Sequence, residues 1–422
     1  MSNKPGCEVT DPSNEVLRSS AFLQNGPVKE VRSLEDLDRW VRSQAYHDTI
    51  AYINNTSKAI QGHRSTHSFP VTEQMRRLCE IFDGLEHLLA EHTPKLEGSA
   101  VTVPAAEVKS RSYRAWMQHM FQHVFSKLDQ AVRAKCKHIN ELGQYLRRSF
   151  GNATSLDFGP ANELMFLFFL CGLFRAGILM ATDTVAAALM LFARYIHLVR
   201  RLVTTYALPI ARDPKCSIDD YYFLPYLWGA AQLSVEAPFT PMQCEQGKLI
   251  ECHRQDYMIV DLIDHLQKSR GGPLSQVAFQ LWSILSIPTW PQVYRGLERN
   301  YVDHVLSSFK TVEHAIFCEL MSFDAVSQQS QLERAFLGTR SVEGDDVELL
   351  PPVSRYVGMQ TESVLGFEED TPKEAKSDDS EGDRLWMLRQ MVEDNDPNST
   401  PFIPGQPVGQ NDSVTSFLTE GP

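Results

Sequence analysis

The sequence predicts an all-α protein, with many helices in a single globular body and an acidic tail behind it. Two observations lead to this class. Apolar residues recur three and four positions apart over most of the first 320 residues, and the sequence lacks sustained two-residue alternation between hairpin turns. After about residue 324 the composition changes to Ser, Gln, Asp, Glu, Pro and Gly, with too few apolar residues to offset the entropy of ordering. We therefore expect the C-terminal tail to be disordered.

Helical periodicity is clear in segments that begin near Ser33, Asp183 and Thr289. Ser33 is suited to cap a helix that runs through Trp40 to Ile53. After Asp183, apolar residues are spaced by four and three, at Val185, Leu189, Phe192, Ile196, Val199 and Val203. The other faces of that helix carry basic residues, for which a solvated surface is expected, at Arg194, His197, Arg200 and Arg201.

Two segments of loop composition interrupt the helical pattern, at Arg212–Lys215 and Lys268–Pro273. Neither has the composition of a flexible linker between independent domains, so they suggest a helical body folded into lobes around a groove. We divide the chain into a flexible N-terminal segment of residues 1–27, a helical domain of residues 28–323 and a tail of residues 324–422.

The net charge of the chain lies in its C-terminal part. Residues 341–422 contain 18 acidic and 5 basic residues, a balance of −13 that equals the charge of the whole chain, so residues 1–340 are neutral. Binding to nucleic acid requires a basic surface that displaces counterions from phosphates. We therefore exclude nucleic acid as the main partner.

The cysteines and the N-terminus indicate an intracellular protein. The eight cysteines are scattered without C-x-x-C pairs, and the N-terminus is polar, without an apolar signal core. The cytoplasm, with the nucleus as a second compartment, is the expected location. The apolar stretch Leu164–Ala181 is interrupted by Arg175, so we expect a buried helix and no membrane span. No recurrent metal-ligand spacing occurs, and no metal is expected.

The segment Ser217–Leu233 reads S-I-D-D-Y-Y-F-L-P-Y-L-W-G-A-A-Q-L, with two adjacent carboxylates followed by five aromatic residues. Two interpretations remain open: the aromatic residues belong to the core, or they form a surface on which a proline-containing peptide packs. Rotation about an X-Pro bond has a barrier of ~18–20 kcal/mol and needs no nucleophile. An aromatic surface with nearby carboxylates could therefore favour the twisted amide. The aromatic surface would consist of Tyr221, Tyr222, Phe223, Tyr226 and Trp228, and the carboxylates would be Asp157, Asp219 or Asp220.

Six blocks together resemble the phosphotyrosyl phosphatase activator family, the activators of protein phosphatase 2A, over about residues 30–323. Besides the segment above, the blocks are R-S-Q-A-Y at Arg42–Tyr46, S-Y-R-A-W at Ser112–Trp116, the loop and helix Ser149–Leu170, Q-L-W at Gln280–Trp282 and I-P-T-W-P-Q-V-Y-R-G-L at Ile287–Leu297. The resemblance implies core, linker and lid lobes. It also implies a chaperone that binds the phosphatase catalytic subunit, together with the scaffold subunit, and switches it to its active, metal-loaded form. Peptidyl-prolyl isomerase (rotamase) activity and binding of ATP with magnesium are further implications.

Site residues follow from the resemblance position by position. The catalytic positions would be Asp157, Asp219, Asp220 and Trp228. Substrate or partner would be bound by Gly159, Glu163, Tyr222, Phe223, Pro225, Gly229, Gln232, Trp290, Val293, Gly296 and Leu297. The ATP positions would be Ser155, Pro160 and Ala161.

This chain departs from the family pattern at the ATP positions. Where the family has R-I-D-Y-G-T-G-H-E, the chain has S-L-D-F-G-P-A-N-E, so Ser155 replaces an arginine and Pro160 replaces a threonine. The first change removes a charged contact to phosphate, and the second removes a backbone N–H. These losses argue against nucleotide binding. Two functions stay open: an activator with isomerase activity, or a non-catalytic phosphatase-binding adaptor that has lost the ATP-linked step.

Overall fold

The structure, a computed structural model, describes residues 26–95, 104–132, 138–210 and 220–326. Within these ranges the protein consists of helices and loops without a β strand, which confirms the all-α prediction. The extended pairs Val28 with Phe317, Ser43 with Ala325 and Phe158 with Ile210 form isolated bridges. Most of the N-terminal segment, nearly all of the acidic tail and the predicted loop at Arg212–Lys215 lie outside the described residues.

The helices are numbered here in chain order. They are α1 (Asp36–Val41), α2 (Gln44–Ile60), α3 (Glu73–Glu91), α4 (Ala105–Val132), α5 (Ile139–Arg148), α6 (Pro160–Arg175), α7 (Ala181–Tyr206, with a π-helical turn at Ala187–Leu191), α8 (Leu224–Gln232), α9 (Gly247–His253), α10 (Met258–Arg270), α11 (Leu274–Val277), α12 (Phe279–Leu285), α13 (Trp290–Asn300, continued by a π-helical turn at Tyr301–Val305) and α14 (Phe309–Val312). A 3-10 turn, Pro241–Glu245, precedes α9.

The helix predicted from Ser33 to Ile53 is two helices, because α1 ends at Val41 and α2 begins at Gln44. Ser33 does not cap α1: its hydroxyl donates to Asp36 in the first turn. The cap of α2 is instead Ser43, whose side chain accepts a hydrogen bond from the backbone N–H of Tyr46.

Helix α6 lies at the centre of the hydrophobic core, as expected for the apolar stretch that begins at Leu164. It packs against α2, α5 and α14, and every residue from Glu163 to Phe174 is buried. At its end, Arg175 pairs with the buried carboxylate of Asp48 at 3.3 Å. One helix of the described residues, α7, has the length and composition of a membrane span, but 67% of its most apolar window is buried within this protein.

The predicted solvated face of α7 is present, with His197 and Arg201 exposed and Arg194 half-buried, and its basic residues are ion-paired. Arg194 binds Asp83 of α3, and both Arg201 and His197 bind Glu86 of the same helix. These contacts form an ion-paired seam between α3 and α7. Arg200 lies on a different side of α7 and is described with the site below.

Helix α8 packs against α2, α10 and α13. Several of the predicted site residues lie on α8 itself and on α13. Gly229 makes one of these contacts possible, because a Cβ at this position would lie 2.5 Å from the backbone nitrogen of Ile259 in α10. The predicted loop at Lys268–Pro273 is confirmed only in its second half: Lys268–Arg270 form the last turn of α10, and the loop begins at Gly271, which has a φ of +68°. One continuous hydrophobic core joins the described helices, and the division into core, linker and lid stays a prediction.

Candidate functional site

A buried carboxylate holds the N-terminus of α8. Glu163, in the first turn of α6, accepts hydrogen bonds from the backbone N–H groups of Phe223 (3.2 and 3.1 Å) and Leu224 (3.1 Å). Phe223 precedes α8 and its side chain cannot accept these hydrogen bonds, so a residue 60 positions earlier caps the helix. Burial raises the pKa of Glu163 to about 8, and the nearby charge of Asp220 acts in the same direction. Glu163 therefore positions the segment 223–224 and is not itself exposed to a partner.

Asp220 lies beside this cap and is also buried. One of its oxygens accepts from the Tyr226 hydroxyl at 2.6 Å, and the other accepts from the backbone N–H of Tyr221 at 2.8 Å. Arg270 lies 3.9 Å from the same carboxylate. Burial raises the pKa of Asp220, although the Tyr226 hydrogen bond and the arginine counteract it. The neighbouring Asp219, predicted to be catalytic, lies outside the described residues.

Two arginines that the sequence analysis did not select complete the electrostatic environment of Asp220. Arg200 of α7 donates to Asp261 of α10 at 2.7 Å, and Arg270 at the end of α10 donates to the carbonyl of Val277. Both arginines lower the pKa of Asp220. Sequence periodicity places Arg200 on a polar face of α7, but no local pattern indicates that it faces α10.

The aromatic residues of the Ser217–Leu233 segment form core, which is the first of the two interpretations left open by the sequence, and they do not form an aromatic surface for a peptide. Trp228 is 0% exposed and packs against Phe192 with ring centroids 4.7 Å apart. The Tyr222 hydroxyl donates to the backbone carbonyl of Ile196. The side chains of Phe223, Tyr226 and Pro225 are likewise buried, and Tyr221 is 9% exposed. A short helix surrounded by three others needs apolar residues on all sides, which explains why these rings point inward.

The loop that contains Asp157 is closed by its own hydrogen bonds. Asp157 accepts from the Ser155 hydroxyl, and the side chain of Asn152 accepts from the backbone N–H groups of Thr154 and Ser155. The next residue, Phe158, packs on Tyr221 and Tyr222 with centroid distances of 5.7 and 6.0 Å. The loop therefore lies against the residues that follow Asp220, and Asp157 is half-buried.

The side chains at the predicted ATP positions offer no free donor to a phosphate. Ser155 donates to Asp157, and Pro160 has no N–H to offer. The N–H of the buried Gly159 donates to the side chain of Asn162, whose amide donates in turn to the carbonyl of Arg148. The half-buried Ala161 adds no side-chain donor. This donor set, beside a carboxylate, does not fit a triphosphate.

The remaining predicted residues lie along α8 and on α13. At the end of α8, Gln232 donates to the carbonyls of His63 (3.1 Å) and Asp256 (3.4 Å) and accepts from the N–H of Met258 (3.0 Å). Trp290 donates its indole N–H to the carbonyl of Phe239 at 2.7 Å. Helix α13 packs on α8. Of its predicted site residues, Val293 and Leu297 are buried and Gly296 is half-buried. The described contacts thus bring Glu163 and Asp220 together at the start of α8, and Phe158, next to Asp157, packs on the residues that follow Asp220. Trp290 and Gln232 are held by separate contacts.

Two aromatic residues of α12 are exposed, and sequence reasoning did not select them as a site. Phe279 is 49% exposed and Trp282 is 36% exposed, and their ring centroids are 5.6 Å apart. The segment Gln280–Trp282 is one of the six blocks that resemble the activator family, and this resemblance was the sequence feature that could have indicated a site here. Among the described residues, no cluster of three or more His, Cys, Asp or Glu side chains could hold a metal ion.

Comparisons with known proteins give consistent results. A family model described as phosphotyrosyl phosphate activator (PTPA) protein matches residues 27–323. A serine/threonine-protein phosphatase 2A activator of Drosophila melanogaster is 39% identical over 339 residues, which cover 80% of this chain and 81% of the relative. A probable serine/threonine-protein phosphatase 2A activator 1 of Dictyostelium discoideum is 28% identical over 73% of this chain and 93% of its own length. The crystal structure of the PP2A phosphatase activator Ypa1 has the same fold, with a TM-score of 0.62 at 23% identity, covering 71% of this chain and 96% of that one.

Proposed function

Because this chain belongs to the phosphotyrosyl phosphate activator family, we propose that it binds the catalytic subunit of a protein phosphatase 2A and helps convert it to the active form. The observation that carries the proposal is the extent of the match to the Drosophila activator, which spans four-fifths of both chains. A match of this extent includes the loop before α6, helix α8 and helix α13 together. The phosphatase scaffold subunit is a second partner in this proposal.

The structure supports specific roles for the acidic residues. Glu163 and Asp220 hold the backbone at the start of α8 by accepting hydrogen bonds, so they act as positioning residues. Asp157 is half-buried in a loop that packs on the same segment and is the candidate for direct contact with the phosphatase. A carboxylate in this place suits a basic or metal-associated surface of the partner.

Binding and activation test this proposal. The full chain is mixed with purified phosphatase 2A catalytic subunit, and both the affinity and the phosphatase activity on a phosphopeptide are measured. Asp157→Asn is expected to weaken binding about tenfold, or about 1.4 kcal/mol, because it removes a charge but keeps the size of the side chain. Asp83→Asn, which changes an exposed carboxylate of the α3–α7 seam, is the matched control and should bind like the natural chain. Absence of binding at micromolar concentrations would reject the function.

Peptidyl-prolyl isomerase activity belongs to the same proposal. The chemistry requires a surface that holds the proline and a polar group that favours the twisted amide. Since the α8 aromatic residues are buried, the polar group is assigned to Asp219 or Asp157 and the aromatic contact to residues outside that block. A proline-peptide assay should show a rate that Asp219→Asn lowers while the unfolding free energy stays unchanged. Equal rates for both proteins and for Asp157→Asn would eliminate this assignment.

The adaptor alternative is supported by the closed loop at residues 152–162. The Ser155 hydroxyl, the Asn162 amide and the backbone N–H groups of Ser155 and Gly159 are bonded within the protein, so we expect no binding of ATP with magnesium there. Phosphatase binding would then proceed without an ATP-linked step. Calorimetry with ATP and magnesium, with and without the phosphatase, separates the two functions, and micromolar nucleotide binding in either mixture would eliminate the adaptor.

A further inference from the structure

Pairs of adjacent arginines occur on three helices of the described chain. Like charges that are close together repel each other, so such a pair is more stable when carboxylates lie beside it. The three pairs can therefore be compared by their partners. They are Arg76 with Arg77 on α3, Arg147 with Arg148 on α5, and Arg200 with Arg201 on α7.

The pairs on α3 and α7 are neutralised by carboxylates. Arg76 and Arg77 both bind Glu73, at 2.7 and 3.0 Å. On α7, each arginine has a carboxylate of its own, from Asp261 at 2.7 Å for the first and from Glu86 for the second. The protein thus supplies an acidic partner for every arginine of these two pairs.

The pair on α5 has no such partner. Within the described residues, no carboxylate oxygen lies within 4.0 Å of the guanidinium nitrogens of Arg147 or Arg148. Both side chains are exposed. Arg147 lies over the ring of Phe121 in α4, 4.6 Å from its centroid, and Arg148 donates to the backbone carbonyl of His314 at 3.5 Å. Desolvation lowers the pKa of both arginines, and the charge of Arg147 lowers that of Arg148 further.

Capping of α5 does not account for the two arginines. Basic side chains near the end of a helix often bind its last carbonyl groups. The end of α5 is closed instead by Ser149, whose backbone N–H (3.2 Å) and hydroxyl (2.6 Å) both donate to the carbonyl of Leu146. Arg147 and Arg148 contact α4 and the segment after α14. Most of their N–H groups therefore remain available to another molecule.

A third arginine extends this basic region. Arg114 lies about two helical turns before Phe121 on α4, so the two residues share one face of the helix. Its Nε donates to the backbone carbonyl of Ala153 at 3.1 Å, and it too has no carboxylate within 4.0 Å among the described residues. Since α4 and α5 pack against each other, the three guanidinium groups border one surface. We call Arg114, Arg147 and Arg148 the arginine surface.

The arrangement of the arginine surface indicates the kind of partner. Exposed guanidinium groups bind carboxylates through charge-assisted and often bidentate hydrogen bonds. Arg147 is held flat on an aromatic ring, so less side-chain entropy is lost when it binds. Because Arg147 and Arg148 contact different elements, they suit two separate anionic groups better than a single one. Three arginines on a body that is otherwise neutral are too few for binding of nucleic acid through its phosphates.

We propose that the arginine surface binds an acidic segment of a partner protein, with Asp or Glu side chains of that segment paired to Arg147 and Arg148. Arg114 adds to the attraction along α4. The phosphatase contact assigned above to Asp157 has the opposite charge, so the arginine surface is a second site. The partner supplies the carboxylates that Glu73 supplies within the chain for the pair on α3.

A labelled acidic peptide tests the site in the full chain. The probe is a fluorescent peptide in which glutamate alternates with glycine, and its anisotropy is followed at low ionic strength, where exposed charges are weakly screened. Arg147→Gln combined with Arg148→Gln should weaken binding about tenfold, because two exposed ionic contacts are lost. Arg76→Gln combined with Arg77→Gln is the matched control: it changes the net charge equally, at a pair that Glu73 already neutralises, and should bind like the natural chain.

Three further measurements separate recognition from general attraction between charges. Arg147→Lys combined with Arg148→Lys keeps the charges but not the bidentate donors, and should give an affinity between those of the natural chain and the glutamine variant. A peptide with glutamine in place of glutamate should not bind. A photo-crosslinking group on the acidic peptide should label α4, α5 or the loop that contains Ala153.

The proposal is overturned by any of three results. These are no binding of the acidic peptide to the natural chain up to about 1 mM, an equal loss of binding in the glutamine variant and its matched control, and crosslinks confined to other parts of the body. Equal affinities of the natural chain and the glutamine variant would have the same meaning. Because the phosphatase is absent from these measurements, their outcome does not depend on the function proposed above.

Discussion

Glu163→Gln tests whether burial or hydrogen bonding has the larger effect on the pKa of Glu163, the residue that caps α8. The substitution keeps the shape of the side chain and one carbonyl oxygen, which can take the place of the Glu163 oxygen that accepts from both Phe223 and Leu224. It removes the titrating proton. The stability difference between the two proteins therefore isolates the ionisation of Glu163, provided that it is followed over a range of pH.

The sign of the effect follows from the pKa of Glu163, which folding raises from 4.5 to about 8. A raised pKa means that the protonated form favours the folded state. This contribution is fully present below pH 4.5, is lost as the pH rises to about 8, and is constant above that. A rise of this size corresponds to about 5 kcal/mol, since each factor of ten in the ionisation constant is about 1.4 kcal/mol.

The assay is urea unfolding of both proteins at several pH values between 5 and 9. We expect the stability of the glutamine variant relative to the natural protein to increase as the pH rises, by about 4 kcal/mol between pH 5 and pH 9. Glu163→Ala is the control for the lost acceptor: it leaves two buried N–H groups unpaired, so it should be less stable than the glutamine variant by about 1–3 kcal/mol for each of them at every pH, because neither variant has an ionisable side chain at this position. A glutamine variant that loses stability relative to the natural protein at high pH would show that the helix N-terminus stabilises the carboxylate, and would refute the reasoning.

Three further predictions concern the helices around α8. Gly229→Ala should destabilise the fold by about 1–3 kcal/mol in urea unfolding, because the new methyl group would lie 2.5 Å from a backbone nitrogen of α10; Gly247→Ala, where the space is open, is the control and should have little effect. Trp228→Ala should cost about 3–5 kcal/mol because the ring is fully buried, so any loss of activity in this variant has to be compared with its melting temperature. Tyr226→Phe should raise the pKa of Asp220 further, since the hydroxyl that lowers it is removed; an NMR titration of the Asp220 carboxyl that showed no change would contradict this.

The sequence was sufficient for the features that depend on local spacing. The alternation of apolar positions from Val185 to Val203 predicts α7, and the Gly-Gly-Pro sequence after Arg270 predicts the end of α10, because periodicity and backbone preference act within a few residues. The boundary between α1 and α2 was missed because the apolar spacing continues across Arg42 and Ser43, so the sequence does not show that Ser43 caps a second helix.

Features that depend on distant contacts could not be predicted. The capping role of Glu163 requires knowledge of a residue 60 positions away, and the pairing of Arg200 with Asp261 joins residues 61 positions apart. The environment of Trp228 was ambiguous for another reason: aromatic residues are favoured both in a core and on a binding surface, so composition does not decide between them. The three helices packed around α8 decide it in favour of the core.

The missing side chain of Gly229 has a mechanical consequence. It allows the main chain of Ile259 to rest directly against α8, and sliding one helix along the other would drive backbone into backbone. The two helices should therefore be displaced only as a rigid pair. Any bending of the body on binding a phosphatase would have to occur beyond that pair, for example at Gly271, where the space around the missing Cβ is open.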